Sequence, residues 1–401
     1  DQDLLRSNDS FSLPNHQSEH QILKYFTEIH SKNDDPIKYS YFLGSGCYRH
    51  YVPSAVDHII QRSEFLTAYT PYQAEVSQAT LKGIFDFQSM ITQLTKMDVA
   101  NASLYDGAHS LYESILMSSR INKKYKVGLV NSVNVDYLII LESNLTNFEL
   151  KKDIDIESLN HEFSSIVIQV PDYFGNINIF DDFIKKAKQL DVMIILVTTE
   201  ILSLGMLDLP DDIDVFVGEA QSIGISPSFG GPHLGFFSTK KKYIRQMPGR
   251  ICGKTKDIND KEGYVLTLNA REQHIRRGKA TSNVCSNQGL NMLAFVIHMY
   301  LLGRTGLKKL ALLNHSRAQY LANQLKEIDN VEILNKSFFN EFTIKTNIES
   351  TSLVNSLYKM KIFAGVALEG NKVLIAVTEQ NSKAEIDRYV SSVDKILNYG
   401  K

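Results

Sequence analysis

Between residues 74 and 97 the apolar side chains Val76, Leu81, Ile84, Phe85, Phe87, Ile91 and Leu94 recur near the helical period, which predicts a long helix with one buried face. A shorter helical pattern, Glu19–His30, precedes it and is broken by Asn33-Asp34-Asp35-Pro36. Pro53 sits where a first helical residue is favoured, ahead of a second short helix over residues 55–61. A loop rich in proline and tyrosine, Thr67-Ala68-Tyr69-Thr70-Pro71-Tyr72-Gln73, leads into the long helix.

From Asp98 onward the texture changes. Short apolar runs at residues 126–130, 137–141, 165–170, 192–197 and 215–217 read as strands, and helical patterns such as 106–119 and 180–190 alternate with them. Continuous apolar strands separated by helices predict a parallel sheet covered on both faces. Residues 233–238 add a strand, 253–264 a charged hairpin, and 286–302 and 307–328 two helices. In the tail, strand patterns at 331–334, 341–345 and 372–377 alternate with helical ones at 351–359 and 383–397, which predicts a smaller α+β lobe. The expected organisation is an N-terminal arm with helices (1–65), a large α/β domain (66–305) and a small C-terminal domain (306–401).

Composition narrows the function classes. Hydrophobic residues make up 43% and charged ones 22%, an ordinary globular balance that excludes a disordered chain. A net charge of −2 leaves no field of one sign to attract nucleic acid or a membrane surface. Cys47, Cys252 and Cys285 are far apart and form no CxxC pair, which argues against a disulfide framework or a zinc site and for a reducing compartment. No run approaches the roughly 18 apolar residues of a membrane span, and residues 1–33 carry no basic-then-apolar leader pattern. A soluble, cytoplasmic protein is expected.

Several motifs have chemical potential beside an ordinary structural role. Leu43-Gly44-Ser45-Gly46-Cys47-Tyr48 is glycine-rich but lacks dinucleotide or Walker spacing, so a tight turn is the simpler reading. No GxSxG elbow supports acyl transfer, and His109, His233, His274 and His315 lack metal-ligand spacing. Residues 101–108 (Asn-Ala-Ser-Leu-Tyr-Asp-Gly-Ala) open a helix and could present backbone N–H groups to an anion, or simply cap it. The densest basic stretch is Arg271, His274, Arg276, Arg277 and Lys279, followed by Ala280-Thr281-Ser282-Asn283; it suits a phosphate or carboxylate, or a solvated turn. Gly230-Gly231-Pro232 is a tight turn.

Taken in order, Thr67-Ala-Tyr-Thr-Pro-Tyr-Gln-Ala-Glu75, Met97-Asp-Val-Ala-Asn-Ala-Ser-Leu-Tyr-Asp-Gly107, Gly218-Glu-Ala-Gln-Ser-Ile-Gly224, Phe229-Gly-Gly-Pro232 and residues 271–283 carry a resemblance. The sequence resembles the glycine decarboxylase P-protein family, specifically the α subunit (subunit 1) of its two-subunit bacterial form. The resemblance runs from about residue 13 to 397. It implies a pyridoxal-phosphate (PLP)-dependent, aminotransferase-like fold of type I, with a mixed seven-stranded sheet in the large domain and a small C-terminal α+β domain. It implies the first step of glycine cleavage: decarboxylation of glycine on PLP, followed by passage of the aminomethyl group to the lipoyl arm of H-protein.

One part of that equipment is missing. Enzymes of this fold bind PLP through a lysine after a late strand, and an Asp on an earlier strand pairs with the pyridine nitrogen. Here no lysine occurs from Gln189 through Thr239, and the expected region reads Gly218-Glu219-Ala220-Gln221-Ser222. Neither Gln221 nor Ser222 can form a Schiff base, and the Asp position aligns with Glu200. The resemblance therefore implies an α chain that holds no covalent PLP and completes a site on a β subunit carrying the lysine, in an α2β2 heterotetramer. Tyr69, Thr70, Tyr72 and Gln73 are expected to line the partner's site. Thr281, Ser282 and Asn283 are expected to contact the phosphate of the partner's PLP in trans, with Arg276, Arg277 and Lys279 before a helix N-terminus. No metal is expected. The alternatives are a non-catalytic scaffold or H-protein-docking subunit, and an independent PLP enzyme, which the missing lysine disfavours.

Overall fold

The computed structural model describes residues 12–34, 37–178, 180–210 and 212–398; the arm's first eleven residues and Asp35-Pro36 of the expected break lie outside them. The chain divides into two compact units, Asp1–Ser40 and Tyr41–Lys401. In the first, α1 (Glu19–His30) has the predicted span. Ser18 and Gln21 form a capping box, with Gln21 N–H donating to Ser18 Oγ at 3.3 Å and Ser18 N–H to Gln21 Oε1 at 2.8 Å.

A short strand β1 (Ser40–Tyr41) leads to α2 (Ser54–Ile60), α3 (Ser63–Leu66) and a 3-10 turn at Ala74–Val76. Pro53 is the N-cap of α2, one place before the predicted first turn. The long helix begins only after that 3-10 turn, as α4 (Gln78–Thr95). The main sheet comprises β2 (Val99–Ala100), β3 (Lys126–Leu129), β4 (Glu149–Lys151), β5 (Phe163–Gln169), β6 (Met193–Thr198), β7 (Val215–Glu219) and β8 (Gly235–Thr239), in the order β2-β8-β7-β6-β5-β3-β4. Strands β3 to β7 run parallel, while β8 is antiparallel to both β7 and β2. The sheet is thus mixed, not wholly parallel as patterning alone predicted. The connection from β7 to β8 contains no crossover helix, and without one the chain returns antiparallel.

Helices α5 (Gly107–Asn122), α6 (Val135–Asn144) and α7 (Asp181–Gln189) cover the sheet. Side chains alternate between its faces. Ile166, Ile168, Ile194, Leu196 and Phe216 share a core with Leu81, Phe87 and Ile184, whereas Val167, Ile195, Val197, Val215 and Val217 pack with Leu111, Ile115 and Leu141.

Residues 137–141, expected as a strand, belong to α6. Asn134 caps that helix, accepting from Asp136 and Tyr137 N–H at 2.9 and 3.3 Å, and Tyr137 and Leu141 bury one turn apart while Ile139 and Ile140 are exposed. A five-residue apolar run cannot by itself distinguish strand from helix. The hairpin is present as β9 (Ile251–Lys256) and β10 (Glu262–Thr267), followed by a one-turn helix α8 (Gln273–Arg276). The two helices expected at 286–302 and 307–328 form one element, α9 (Gly289–Lys326), kinked at Gly303 with φ 58° and ψ 179°. Contrary to the sequence reading, α9 is long and apolar enough to cross a membrane by length and composition. Its Met292, Phe295, Val296 and Leu307 nevertheless lie in the core beneath the main sheet.

The C-terminal part contains β11 (Glu332–Ile333), β12 (Glu341–Lys345), α10 (Ser350–Lys359), β13 (Ile362–Phe363), β14 (Val366–Ala367), β15 (Lys372–Ala376) and α11 (Lys383–Asn398). An antiparallel sheet of order β11-β12-β15-β14 packs Ile344, Val373 and Ile375 against Leu353, Leu357, Tyr389 and the end of α9.

Candidate active site

Strands β3, β5, β6 and β7 end on one side of the sheet, and strand order reverses around β3. The crevice outside those carboxyl ends is where an open α/β sheet takes its ligand. Here residues 44–50 of the same chain cross it. Asn134, after β3, donates from Nδ2 to the Ser45 carbonyl at 2.9 Å. Gln221, after β7, brackets Tyr48, accepting from its N–H and donating to its carbonyl, both at 3.4 Å. His50 Nε2 lies 3.0 Å from Glu200 Oε2, after β6, and His50 Nδ1 lies 2.8 Å from Glu379 Oε2. Each ring nitrogen faces a carboxylate, so both carry protons. Burial pulls the imidazole pKa down, but Glu200 and Glu379 lift it to about 10. Burial opposes ionisation of Glu379, yet His50 holds its pKa down at about 2. From β12, Glu341 accepts from Tyr48 OH at 2.9 Å and from Ser45 N–H at 2.6 Å; burial lifts its pKa to about 7.

The other end of the crevice is the N-terminus of α5. Asp106 caps it through His109 N–H at 2.6 Å. Glu219, 3% exposed at the end of β7, accepts from Gly107 N–H at 2.9 Å, Gln221 N–H at 3.0 Å and Leu234 N–H at 2.8 Å. A Cβ on Gly107 would lie 2.0 Å from the Tyr137 hydroxyl, so the space beside this terminus is filled. Cys47 lies where both Glu219 and Glu200 act on it; burial and those carboxylates push its thiol up to about 11.

A second, exposed locus brings together two segments far apart in sequence. Tyr69, 76% exposed, shares a 2.7 Å hydrogen bond with Ser286 Oγ. The Tyr72 hydroxyl accepts from Arg250 Nη2 at 3.2 Å, the guanidinium lies 5.5 Å from the Tyr72 ring centre, and the His274 ring meets it edge-on at 5.1 Å. Thr70 contributes its carbonyl to Tyr72 N–H at 2.9 Å, and Gln73 is exposed. Arg250, 4% exposed, also donates to Asn287 Oδ1 at 3.3 Å and lies 3.5 Å from Glu272. Arg271 donates to the Gly249 carbonyl at 2.7 Å and accepts from Thr281 N–H at its own carbonyl, at 3.0 Å. Ser282 Oγ donates to Glu113 of α5 at 2.6 Å, and Asn283 is exposed. Residues 281–283 do not adjoin a helix N-terminus, because an irregular stretch separates them from α9. Cys285 is exposed, and hydrogen bonds from Ser286 and Tyr69 lower its pKa.

The family model of the glycine cleavage system P-protein matches residues 3–393. The chain belongs to this family. A "Probable glycine dehydrogenase (decarboxylating) subunit 1" from Parvibaculum lavamentivorans is 41% identical over 408 residues, covering 96% of this chain and 91% of that protein. The crystal structure of glycine decarboxylase (P-protein) of the glycine cleavage system, in inhibitor-bound form, superposes with a TM-score of 0.91 at 32% identity, over 98% of this chain and 93% of that one. A variant of a cystine C–S lyase with glycine covalently linked to its PLP cofactor shares the fold, with a TM-score of 0.62 at 11% identity over 90% and 99% of the two chains. The architecture is that of the fold type I PLP enzymes.

Within that fold this chain gives its own crevice a different content. Where a phosphate would accept from α5, Glu219 already accepts; where a ring nitrogen would face Glu200, His50 already donates. The residues present do not fit PLP in this crevice. Sequence reasoning identified Glu200 and the glycine-rich turn but missed His50, Glu379 and Arg250. Each is a single polar residue with no local spacing signal, and the contact that gives it its place joins positions 150 or more apart: His50 with Glu200 and Glu379, and Arg250 with Tyr72.

Proposed function

We propose that this chain is the α subunit (subunit 1) of a two-subunit glycine decarboxylase. Together with a β subunit that carries the PLP lysine, in an α2β2 assembly in the cytoplasm, it decarboxylates glycine and passes the aminomethyl group to lipoylated H-protein. PLP, bound on the partner, supplies the electron sink; the protein's task is to hold, orient and keep dry what reacts there. The observation carrying this reading is the exposed locus, where residues 67–73 meet the stretch 271–288 while the chain's own crevice is full.

Tyr69, Thr70, Tyr72 and Gln73 are assigned to the wall of the partner's site, where rigid phenol rings cover apolar surface and hydroxyls fix orientation. Thr281, Ser282 and Asn283 are assigned to the phosphate of the partner's PLP, through the Thr281 hydroxyl, the Asn283 amide and the backbone N–H of Ser282, whose own hydroxyl is held by Glu113, beside the basic run. The organisation proposed with it is an arm and helices (1–65), a large domain (66–305) and a small domain (306–401).

The test is turnover of the αβ complex with Tyr69→Phe or Tyr72→Phe. Both variants should assemble normally and lower kcat/KM. Unchanged kcat/KM in both returns the loop to a structural role and leaves a scaffold or H-protein-docking subunit.

A further inference from the structure

Three features of the carboxyl-end crevice meet in one arrangement. At one end three backbone amides, those of Gly107, Gln221 and Leu234, converge on the two oxygens of Glu219, the constellation that usually receives a bound anion. At the other end Glu200 accepts from the protonated ring of His50. Between them run residues 44–50, held by Asn134 and Gln221 from the main sheet and by Glu341 from the C-terminal sheet.

We infer that this chain's ligand crevice is closed by the chain itself: residues 44–50 take the place of a ligand, Glu219 occupying the α5 amide as a phosphate would and His50 facing Glu200 as a ring cation would. The chain therefore holds no phosphate-bearing cofactor there, covalently or freely.

Space and charge both support this. Tyr48, His50, Asn134, Glu200, Glu219 and Gln221 are all buried, and residues 44–47 and Arg49, which cross in front of them, are half-buried. The turn that carries the segment in is fitted to the C-terminal sheet, since a Cβ on Gly44 would lie 2.2 Å from Glu341 Oε1 and 2.5 Å from Ala376 Cβ. A phosphate entering beside α5 would meet the buried Glu219, whose two oxygens already take those amides and which has the His233 ring 3.6 Å away. A ring entering opposite Glu200 would have to displace His50 from two carboxylates at once. The closure also reaches across to the second sheet, because Thr378 Oγ1 donates to the Arg49 carbonyl at 2.8 Å and Glu379 takes the far side of His50.

The inference is independent of the α-subunit reading, since a closed crevice is compatible with a shared site and with a scaffold alike. Its test uses the full chain and pyridoxamine 5′-phosphate, which lacks the aldehyde that would decorate surface lysines. Equilibrium dialysis should show no saturable binding tighter than about 1 mM. In parallel, iodoacetamide labelling at mildly alkaline pH, read by peptide mass spectrometry, should modify Cys285 at least about tenfold faster than Cys47, with or without pyridoxamine 5′-phosphate. One-to-one saturable binding overturns the inference, and so does Cys47 labelling as fast as Cys285. A Glu219→Ala variant gives a third arm: inorganic phosphate should raise its melting temperature and leave that of the wild type unchanged. If phosphate affects both equally or neither, Glu219 is not the occupant of an anion site. Should that variant fail to fold, dialysis and labelling of the wild-type chain still decide.

Discussion

His50→Ala would remove the imidazolium that lies between Glu200 and Glu379 and leave each carboxylate without its charged partner there. Removing one member of a buried ion pair costs about 3–5 kcal/mol. The rise of the imidazole pKa from 6.5 to about 10 gives a ceiling of about 5 kcal/mol by linkage, so the two routes agree. At about 2.1 cal/mol/K per residue, the unit Tyr41–Lys401 unfolds with an entropy near 0.8 kcal/mol/K, so the melting temperature should fall by about 4–7 °C. The dependence on pH has a definite sign. The folded pKa of His50 lies above its unfolded value, so its contribution is complete below about 6.5 and disappears as pH rises through about 10. Glu379 is depressed to about 2 from 4.5, so its contribution is present above 4.5 and disappears as pH falls through about 2. His298, which feels both Glu379 and His50, stays neutral above its own pKa of about 4, to which burial lowers it. Calorimetric melting of wild type and variant at about pH 6, 8 and 10 should therefore show the widest gap at the lowest value, a little over half of it at the middle one and little at the highest. Adding Glu200→Gln to His50→Ala should cost less than the sum of the single changes, because they share a partner. A gap below about 1 °C near neutrality, where about 4–7 °C is expected, or one unchanged at alkaline pH, would refute the assignment of His50 as a buried imidazolium.

Thr281→Val should weaken retention of PLP by the αβ complex by about ten- to two-hundred-fold, the value of a lost hydrogen bond to a charged group, measured as PLP dissociation. Its melting temperature should barely move, because Thr281 caps no helix here. Ser282→Ala should destabilise the chain by about 1–3 kcal/mol in denaturant melts; Glu113 would lose its hydroxyl donor while its other oxygen has no partner and burial already raises its pKa. Gly218→Ala should abolish native circular dichroism in the soluble fraction, since the new Cβ would lie 2.1 Å from the Thr198 carbonyl and 2.9 Å from Phe236, both fixed in the sheet.

The fold was legible where local pattern and tertiary context agree. α1 ends at the predicted residues, and β5, β6 and β7 lie within a residue or two of apolar runs that are buried on both faces. Legibility failed at 137–141, where five apolar residues lie in a helix whose cap, Asn134, was not weighed, and at 286–288, where the helix starts three residues late. At the site, the glycine-rich turn and Glu200 were visible, but their meanings depended on partners that only folding supplies. His50 acquires its role from residues 150 and 329 positions away, and Arg250 reaches a tyrosine 178 positions away. Such pairs leave no periodicity, because neither partner sits at a fixed offset from the other.

An ionised triad such as Glu200–His50–Glu379 is weak evidence of net stability, since its desolvation can exceed its mutual attraction. Its geometric effect is more secure. Both imidazole nitrogens must be satisfied at once, which fixes residues 44–50 between the two sheets in one register and discourages any other closure. The exposed locus is supported in the same way from behind. Gln88 of α4 accepts from Cys252 N–H at 2.8 Å and donates to its carbonyl at 2.9 Å, holding the start of β9 two residues beyond Arg250. Ser103 Oγ accepts from Asn287 Nδ2 at 3.0 Å and from Gln288 N–H at 3.1 Å, fixing the loop that carries Ser286. The side chains that meet Tyr69 and Tyr72, Ser286 and Arg250, are thus carried on stretches anchored to α4 and to the β2–α5 loop, the kind of support that a positioning surface of the proposed function would require. On the function proposed above, a ligand held by the partner would meet this chain at the exposed tyrosines, since Glu219 and His50 fill the crevice between the sheets.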